Sequence, residues 1–270
     1  MGIHKFPGLP FFRKSRLLGL QTEQLPLKKV HDGRLSRNLK RFRAVRGFYE
    51  QLFEWNPSLH AAGLGGELFI PYGCELKTRP PTEKQFDVLF IGNIGGSPRR
   101  KELLDYLATQ FKFYPDYSPG FGTRKSDAIH QTKICLNIHF YDDGGFESPR
   151  IFDYLSHGAF VISESALSTH PFAAGHDLEE YADKDELVAK LVYYLENDQA
   201  RQRIADQGYE TAGQHGFEST ARLLADHIKS VLDTKNNIAR RFEAWIRARS
   251  KCGYFSFRDY ISLKRRDLSV

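Results

Sequence analysis

Short apolar runs alternate with helical patterns along the second half of the chain, and this alternation restricts the fold to a narrow class. The run Phe86–Ile91 is almost continuously apolar, which is typical of a strand buried on both faces of a sheet. Similar runs at 134–140 and 159–163 follow helical patterns at 98–110 and 149–157. Strands that alternate with helices in this way predict an α/β, Rossmann-like fold with a parallel sheet and flanking helices.

The first part of the chain carries a weaker version of the same pattern. Three shorter apolar runs predict strands there, at 17–20, 49–55 and 68–71. The polar stretch Lys77–Gln85 contains two adjacent prolines and is typical of a linker. The predicted organisation is a partial Rossmann-like region at 1–80, a Rossmann-like domain at 81–233 and a basic helical tail at 234–270.

Charge is distributed unevenly along the chain. Residues 1–50 contain 12 Lys and Arg against 3 Asp and Glu, and residues 234–270 contain 10 against 3. Residues 51–233 contain 17 against 27, a net charge of −10. Two interpretations stay open, namely solvated helix faces and attraction of the basic ends to an anionic partner such as a membrane surface. Nucleic acid is not expected, because no aromatic–basic recognition motif accompanies the charge.

Other features of the sequence indicate where the protein is located and argue against bound metal and disulfides. No apolar run is long enough to cross a bilayer, and the basic N-terminus lacks the continuous apolar stretch of a signal peptide. Cys74, Cys135 and Cys252 show no close pairing, which argues against a disulfide framework and a cysteine zinc site, and Cys135 is expected in the core. The ten histidines form no metal-binding pattern. We expect a cytoplasmic protein, at most peripheral to the inner face of a membrane, without a metal site.

A glycine-rich turn, GNIGGSPRRK at 92–101, follows the first buried strand. Glycine N–H groups at a helix start can hold phosphate oxygens, and Arg99, Arg100 and Lys101 add positive charge. The alternative is a tight turn with exposed basic side chains, since the turn matches neither the Walker A nor the dinucleotide pattern. Its place at the carboxyl end of a strand favours phosphate, because ligands of parallel sheets bind at that rim. The loops expected on this rim are 92–98, 115–125, 139–149 and 163–176.

The segment 138–163 contains a second group of polar and charged side chains at the start of a helix. Arg150 and Asp153 lie three residues apart and share a helix face, so a surface ion pair is one interpretation. A ligand site is the other, because Gly144–Gly145 lets the chain approach a ligand closely. The pair Asp142–Asp143 beside a phosphate turn suggests Mg²⁺, but neighbouring loop carboxylates diverge, so a metal is possible and not expected.

These motifs resemble the donor-binding half of a known enzyme family. DVLFIGN, PRRKELLDYLA, KICLNIHF, ESPRIFDYLSHGAFVISE and DELVAKLVYYLENDQARQRIADQGYE occur in the order seen in GT-B glycosyltransferases of group 1 or spore-maturation type. The similarity extends over about residues 65–230. It implies transfer of a sugar, of the hexose type, from a nucleotide-diphosphate sugar to a glycan, lipid-linked or cell-surface acceptor. It also implies retention of configuration and no required cofactor or metal. Apart from the resemblance, a homo-oligomer is one assembly that we consider for the protein.

The resemblance also implies roles for individual residues. Asp153 takes the position of the carboxylate that holds the nucleotide ribose. Glu147, Ser148 and Arg150 would face the sugar or the diphosphate, and Arg99 or Arg100 would neutralise the leaving diphosphate. The catalytic set is thus Arg99, Arg100, Glu147 and Arg150, and the nucleotide-sugar-binding set is Gly92, Asn93, Asn137, His139, Ser148 and Asp153.

Two departures from the family pattern keep an alternative open. Many retaining members have two glutamates separated by seven residues, whereas Gly145 stands at the first position here and Asp153 at the second. Residues 1–80 are also too few for a complete acceptor domain. A non-catalytic or truncated nucleotide-sugar-binding protein is therefore the second hypothesis. A nicotinamide-dependent Rossmann enzyme is disfavoured by the absence of the dinucleotide fingerprint.

Overall fold

The first sheet of the protein is small and entirely parallel. A computed structural model describes residues 18–21, 42, 46, 49, 51–142 and 145–233. The strands of this sheet are β1 (Leu18–Gln21), β2 (Gln51–Glu54) and β3 (Leu68–Phe69), in the order β1–β2–β3. Leu18 lies opposite Gln51, and Phe53 lies opposite Leu68. A short helix, α1 (Pro57–Ala61), follows β2, with the Asn56 side chain capping its start.

The second sheet has four parallel strands and carries most of the helices. Its strands are β4 (Phe86–Leu89), β5 (Thr132–Asn137), β6 (Phe160–Glu164) and β7 (Glu179–Tyr181), in the order β4–β5–β6–β7. The helices between them are α2 (Pro98–Ala108), α3 (Thr123–His130) and α4 (Ser148–Ser156). The helices that follow are α5 (Lys184–Glu196), α6 (Asp198–Gln214) and α7 (Phe217–Asp233). The α/β class, with parallel sheets and flanking helices, is confirmed.

Both faces of the second sheet are buried, which explains the continuous apolar runs. Ile134 and Leu136 of β5 pack on one face, against apolar side chains of α2 and α5. Cys135 points to the other face, which α3 and α4 cover. Burial raises the pKa of the Cys135 thiol to about 12, so this cysteine belongs to the core as expected and is not a nucleophile.

The two sheets are connected by contacts that sequence patterns do not reveal. The predicted linker Lys77–Gln85 forms no helix or strand and is mostly exposed. Helix α7 runs back towards the first sheet, beginning with a hydrogen bond from the Phe217 N–H to the Cys74 carbonyl (3.1 Å). The Asn56 side chain donates to the Phe146 carbonyl at 2.9 Å, joining the end of β2 to the loop before α4. The domain limits at residues 80 and 233 stay predictions.

The basic ends of the chain fall mainly outside the described residues. The predicted tail at 234–270 and most of residues 1–50 belong to this part. Contact of these ends with an anionic membrane surface therefore stays a prediction. None of the helices in the described ranges is long and apolar enough to cross a membrane.

Glu54, at the carboxyl end of β2, is a carboxylate with no exposed surface. It accepts hydrogen bonds from the backbone N–H groups of Asn56 (2.9 Å) and Gly66 (3.3 Å). Burial raises its pKa to about 8, because loss of hydration disfavours the charged form more than these N–H groups favour it. Glu54 thus organises the turn that carries Asn56, and with it the contact to Phe146.

We expect Glu54 to make the stability of the protein depend on pH. A folded-state pKa above the unfolded value contributes stability at low pH, and that stability is lost as the pH rises through about 8. Between pH 6.5 and 8 the wild type should therefore lose about 2 kcal/mol of unfolding free energy relative to Glu54→Gln. Denaturant unfolding at several pH values measures this difference.

The exposed Glu102 on α2 supplies the control for this experiment. Glu102→Gln should keep the pH slope of the wild type. Equal slopes for the wild type and Glu54→Gln would contradict the assignment of this pH dependence to Glu54.

Candidate functional site

An open cavity of about 910 Å³ lies beyond the carboxyl end of β4. Its walls are the segment 72–77, which follows β3, the turn after β4, the loop 115–121 and the first two turns of α4. Three of the four loops expected on the ligand rim contribute to these walls: those at 92–98 and 115–125, and the loop 139–149 through Pro149. The cavity therefore occupies the position at which parallel α/β sheets bind their ligands.

Arg150, in the first turn of α4, provides a cation on the cavity wall. Its guanidinium donates to the Asn137 side-chain oxygen (2.6 Å) and lies 2.6 Å from a Glu147 carboxylate oxygen. The same group lies over the Phe90 ring, 5.0 Å from the ring centroid. A β-carbon at Gly92 would come within 2.7 Å of the Arg150 Nη2 atom. Glycine at this position therefore leaves room for the arginine to reach the cavity.

Glu147 also bonds a second arginine, which is buried. Arg100 is 2% exposed and donates to Glu147, to the Ile138 carbonyl and to the Asn93 carbonyl (3.2 Å). Burial lowers the pKa of Arg100, and the Glu147 charge opposes that change. Arginine nevertheless stays protonated in proteins, so Glu147 neutralises a buried charge that would otherwise be costly. The backbone N–H of Phe140 donates to the same carboxylate at 2.7 Å.

Arg99 lies on the other side of this network and does not line the cavity. It pairs with Glu164 at 2.5 Å and donates to the His139 carbonyl at 2.7 Å. His139 is 1% exposed, and its Nε2 atom lies 2.8 Å from the Glu164 carbonyl oxygen. Burial lowers the pKa of His139, which favours the neutral ring. Arg99 and His139 thus join the ends of β5 and β6.

Asp153, in the second turn of α4, provides a carboxylate in the cavity. It pairs with Lys125 of α3 at 2.8 Å, and its backbone carbonyl lies 2.7 Å from the His157 Nδ1 atom. The opposite nitrogen of His157 contacts the Ser126 hydroxyl at 3.0 Å. The Arg150–Asp153 surface pair, considered from the sequence, does not form. Each residue has its own partner, and both face the same cavity.

The structure brings together some of the ten predicted site residues and separates others. Four of them line the cavity: Gly92, Asn93, Arg150 and Asp153. Five form the charged network behind its wall: Arg99, Arg100, Asn137, His139 and Glu147. Ser148 instead donates to the Trp55 carbonyl (3.2 Å), in the first region of the chain. Their catalytic and binding roles stay predictions.

Sequence reasoning missed several cavity residues, of which Lys125 and Phe121 are the most relevant. Both belong to the loop 115–125, which the sequence places on the ligand rim; Phe121 lies within it and Lys125 is its last residue. Nothing in the sequence pairs Lys125 with Asp153, because the two belong to different helices. Within the described residues, no group of three or more His, Cys, Asp or Glu side chains could hold a metal ion.

Comparison with known proteins agrees with this geometry. Residues 99–226 match the family model described as "Glycosyl transferase-like". A search of curated protein sequences gives no significant match. The family match over residues 99–226 and the fold confirm the resemblance to GT-B glycosyltransferases. The spore-maturation subgroup stays a prediction.

Three solved structures illustrate the shared fold. HepE from Anabaena, in complex with UDP and glucose, superposes with a TM-score of 0.62 at 15% identity, covering 80% of this chain and 72% of that one. Sucrose-phosphate synthase from Thermosynechococcus elongatus gives 0.59 at 13% identity, with coverages of 80% and 67%. TarM gives 0.60 at 8% identity, with coverages of 82% and 51%. At these identities the similarity establishes the fold alone.

The shared carboxylate predicts a specific stability effect. Glu147→Gln keeps the shape of the side chain but leaves the buried Arg100 without its counter-charge. We expect a loss of about 3–5 kcal/mol in unfolding free energy, as for breaking one side of a buried ion pair. Denaturant unfolding of the purified variants measures it.

The exposed pair Lys101–Asp105 on α2 gives the matched control. Asp105→Asn should leave stability unchanged, because exposed pairs contribute little. Adding Arg100→Met to Glu147→Gln should recover part of the loss, since it removes the uncompensated charge. If Glu147→Gln unfolds like the wild type, the described network does not hold the wall of the cavity.

Proposed function

We propose that the protein transfers a sugar from a nucleotide-diphosphate sugar and that the cavity beside α4 is the donor site. The observation that carries the proposal is that Arg150 and Asp153, which do not bond each other, both line the cavity from the same helix. One offers a cation and the other a carboxylate, three residues apart, in the same cavity. A nucleoside diphosphate presents the complementary groups, an anionic diphosphate and a ribose diol.

On this proposal Arg150 contacts the diphosphate. Its only carboxylate partner in the described network, Glu147, is shared with Arg100, so the Arg150 charge is incompletely neutralised. A fixed cation at this point stabilises the negative charge that grows on the leaving diphosphate as the glycosidic bond breaks. Arg99 and Arg100 support this role by fixing the backbone around residues 138–140. Their direct contact with the diphosphate, predicted from the sequence, has no support in their side-chain positions.

Asp153 is proposed to bind the nucleotide ribose. An ionised carboxylate accepts hydrogen bonds from two neighbouring hydroxyl groups. The side chain of Asp153 is 30% exposed and has Lys125 as its ion-pair partner. Ribose binding therefore requires the carboxylate to share its oxygens with Lys125, which stays close enough to add charge near the α-phosphate.

The finer features of the reaction come from the family resemblance. We propose a retaining, metal-independent transfer of a hexose to a glycan or lipid-linked acceptor. HepE shares the fold and binds UDP, which makes UDP-sugars the first donors to test. The acceptor is expected on the side of the first sheet, where Asn56 and Trp55 meet the loop before α4.

A second candidate function is nucleotide-sugar binding without transfer. Gly145 offers no carboxylate at the position where many retaining members have a glutamate, and this observation favours the alternative. Glu147 does not replace it in the cavity, because its carboxylate is bonded to Arg100 and Arg150. Turnover of the donor separates the two candidates.

Donor turnover tests the proposed function directly. Incubation with UDP-, GDP-, ADP-, CDP- and TDP-glucose should release free nucleoside diphosphate from at least one donor, and Asp153→Asn should raise the KM for it. Chromatography of the nucleotides measures both. Binding without release would favour the second candidate, and absence of binding to every donor would contradict both.

The turn after β4 offers a sharper test of the diphosphate contact. A β-carbon at Gly92 would collide with Arg150, whereas one at Gly95 would meet only the Asn93 oxygen at 3.5 Å. Gly92→Ala should therefore displace the guanidinium and weaken UDP and pyrophosphate binding roughly tenfold, as for loss of a charged hydrogen bond. Titration calorimetry measures the affinities.

Gly95→Ala is the matched control, since it adds the same methyl group to the same turn. It should bind UDP with wild-type affinity. Equal binding by both alanine variants and the wild type would show that Arg150 does not contact the diphosphate.

A further inference from the structure

Phe121 is exposed to an unusual degree for a large apolar side chain. It is 93% exposed, more than any other large hydrophobic residue that the structure describes, and it lies on the wall of the cavity beside α4. Exposure of a whole phenyl ring forgoes the hydrophobic stabilisation that burial would give. A ring in this position gains that stabilisation when a ligand covers it.

The backbone around Phe121 holds the ring away from the core. Gly120 and Gly122 have φ angles of +81° and +76°, a region that glycine adopts without strain. A β-carbon at either position would meet nothing within 4 Å, so these glycines serve the backbone conformation and not a close packing contact. The loop therefore places an exposed aromatic ring between two glycines.

The ring also has a defined neighbour within the cavity. The Lys125 ammonium lies 5.4 Å from the Phe121 ring centroid, and the same ammonium lies 2.8 Å from an Asp153 carboxylate oxygen. The cation attracts the face of the ring and keeps it near the carboxylate. The Lys125 side chain thus lies between the Phe121 ring and Asp153, the proposed ribose contact.

We infer that Phe121 stacks on the base of the bound nucleotide. This inference rests on the proposed function, because it takes Asp153 as the ribose contact. A base attached to a ribose at Asp153 can lie over the neighbouring ring, and every nucleobase has an aromatic face that can stack. Phe121 then strengthens nucleotide binding without selecting the base, and selection depends on contacts to the edges of the base elsewhere in the cavity.

The inference separates ligands that contain a base from those that do not. Phe121→Ala should weaken binding of the nucleoside diphosphate that the wild type binds best by roughly five- to a hundredfold. It should leave binding of pyrophosphate and ribose 5-phosphate unchanged. Phe121→Trp should preserve nucleotide affinity, and the fluorescence of the new indole should be quenched when UDP binds.

Titration calorimetry with the full chain gives these affinities. Leu167→Ala is the matched control, because Leu167 is 59% exposed and does not line the cavity. It should bind every ligand as the wild type does.

Three results would overturn the inference, and they are distinguishable. Unchanged UDP affinity in Phe121→Ala, in a wild type that binds UDP, would exclude stacking while leaving the proposed function intact. An equal loss for UDP and pyrophosphate would show a general effect on the cavity. Failure of the wild type to bind any of the UDP, GDP, ADP, CDP and TDP panel would overturn the proposed function and the inference together.

Discussion

Glu147 accepts hydrogen bonds from two arginines and one backbone N–H, and the wall of the cavity depends on this sharing. The carboxylate precedes α4, while its partners come from α2, from α4 and from the end of β5. The Glu147 charge neutralises Arg100 and so reduces the free-energy cost of burying its guanidinium. Because the other oxygen of the same carboxylate holds Arg150, this second arginine is fixed at the cavity and shares its counter-charge with Arg100.

Helix α4 connects this network to the cavity. Its first turn carries Arg150 and its second turn carries Asp153, so one helix presents both groups of the proposed nucleotide site. The start of the same helix is tied to the first region, through Ser148 to Trp55 and through Phe146 to Asn56. Movement of one region relative to the other would therefore act directly on the proposed donor site.

The sequence predicts the sheet well and the site only in part. Strands β4, β5 and β6 are predictable because burial on both faces leaves continuous apolar runs. Arg99 and Arg100 illustrate the limit, because their place in a glycine-rich turn suggests phosphate contacts. Their carboxylate partners, Glu164 and Glu147, lie 65 and 47 residues away and follow only from the fold. The same holds for Lys125 and Asp153, whose pairing requires α3 and α4 to be neighbours.

A crystal structure of the protein with the nucleoside diphosphate that binds most tightly tests the central claim most directly. The account predicts the diphosphate at the Arg150 guanidinium and the turn that begins at Gly92, and the ribose hydroxyls at Asp153. A nucleotide bound outside this cavity, or one in the cavity whose diphosphate contacts neither Arg150 nor this turn, would contradict it.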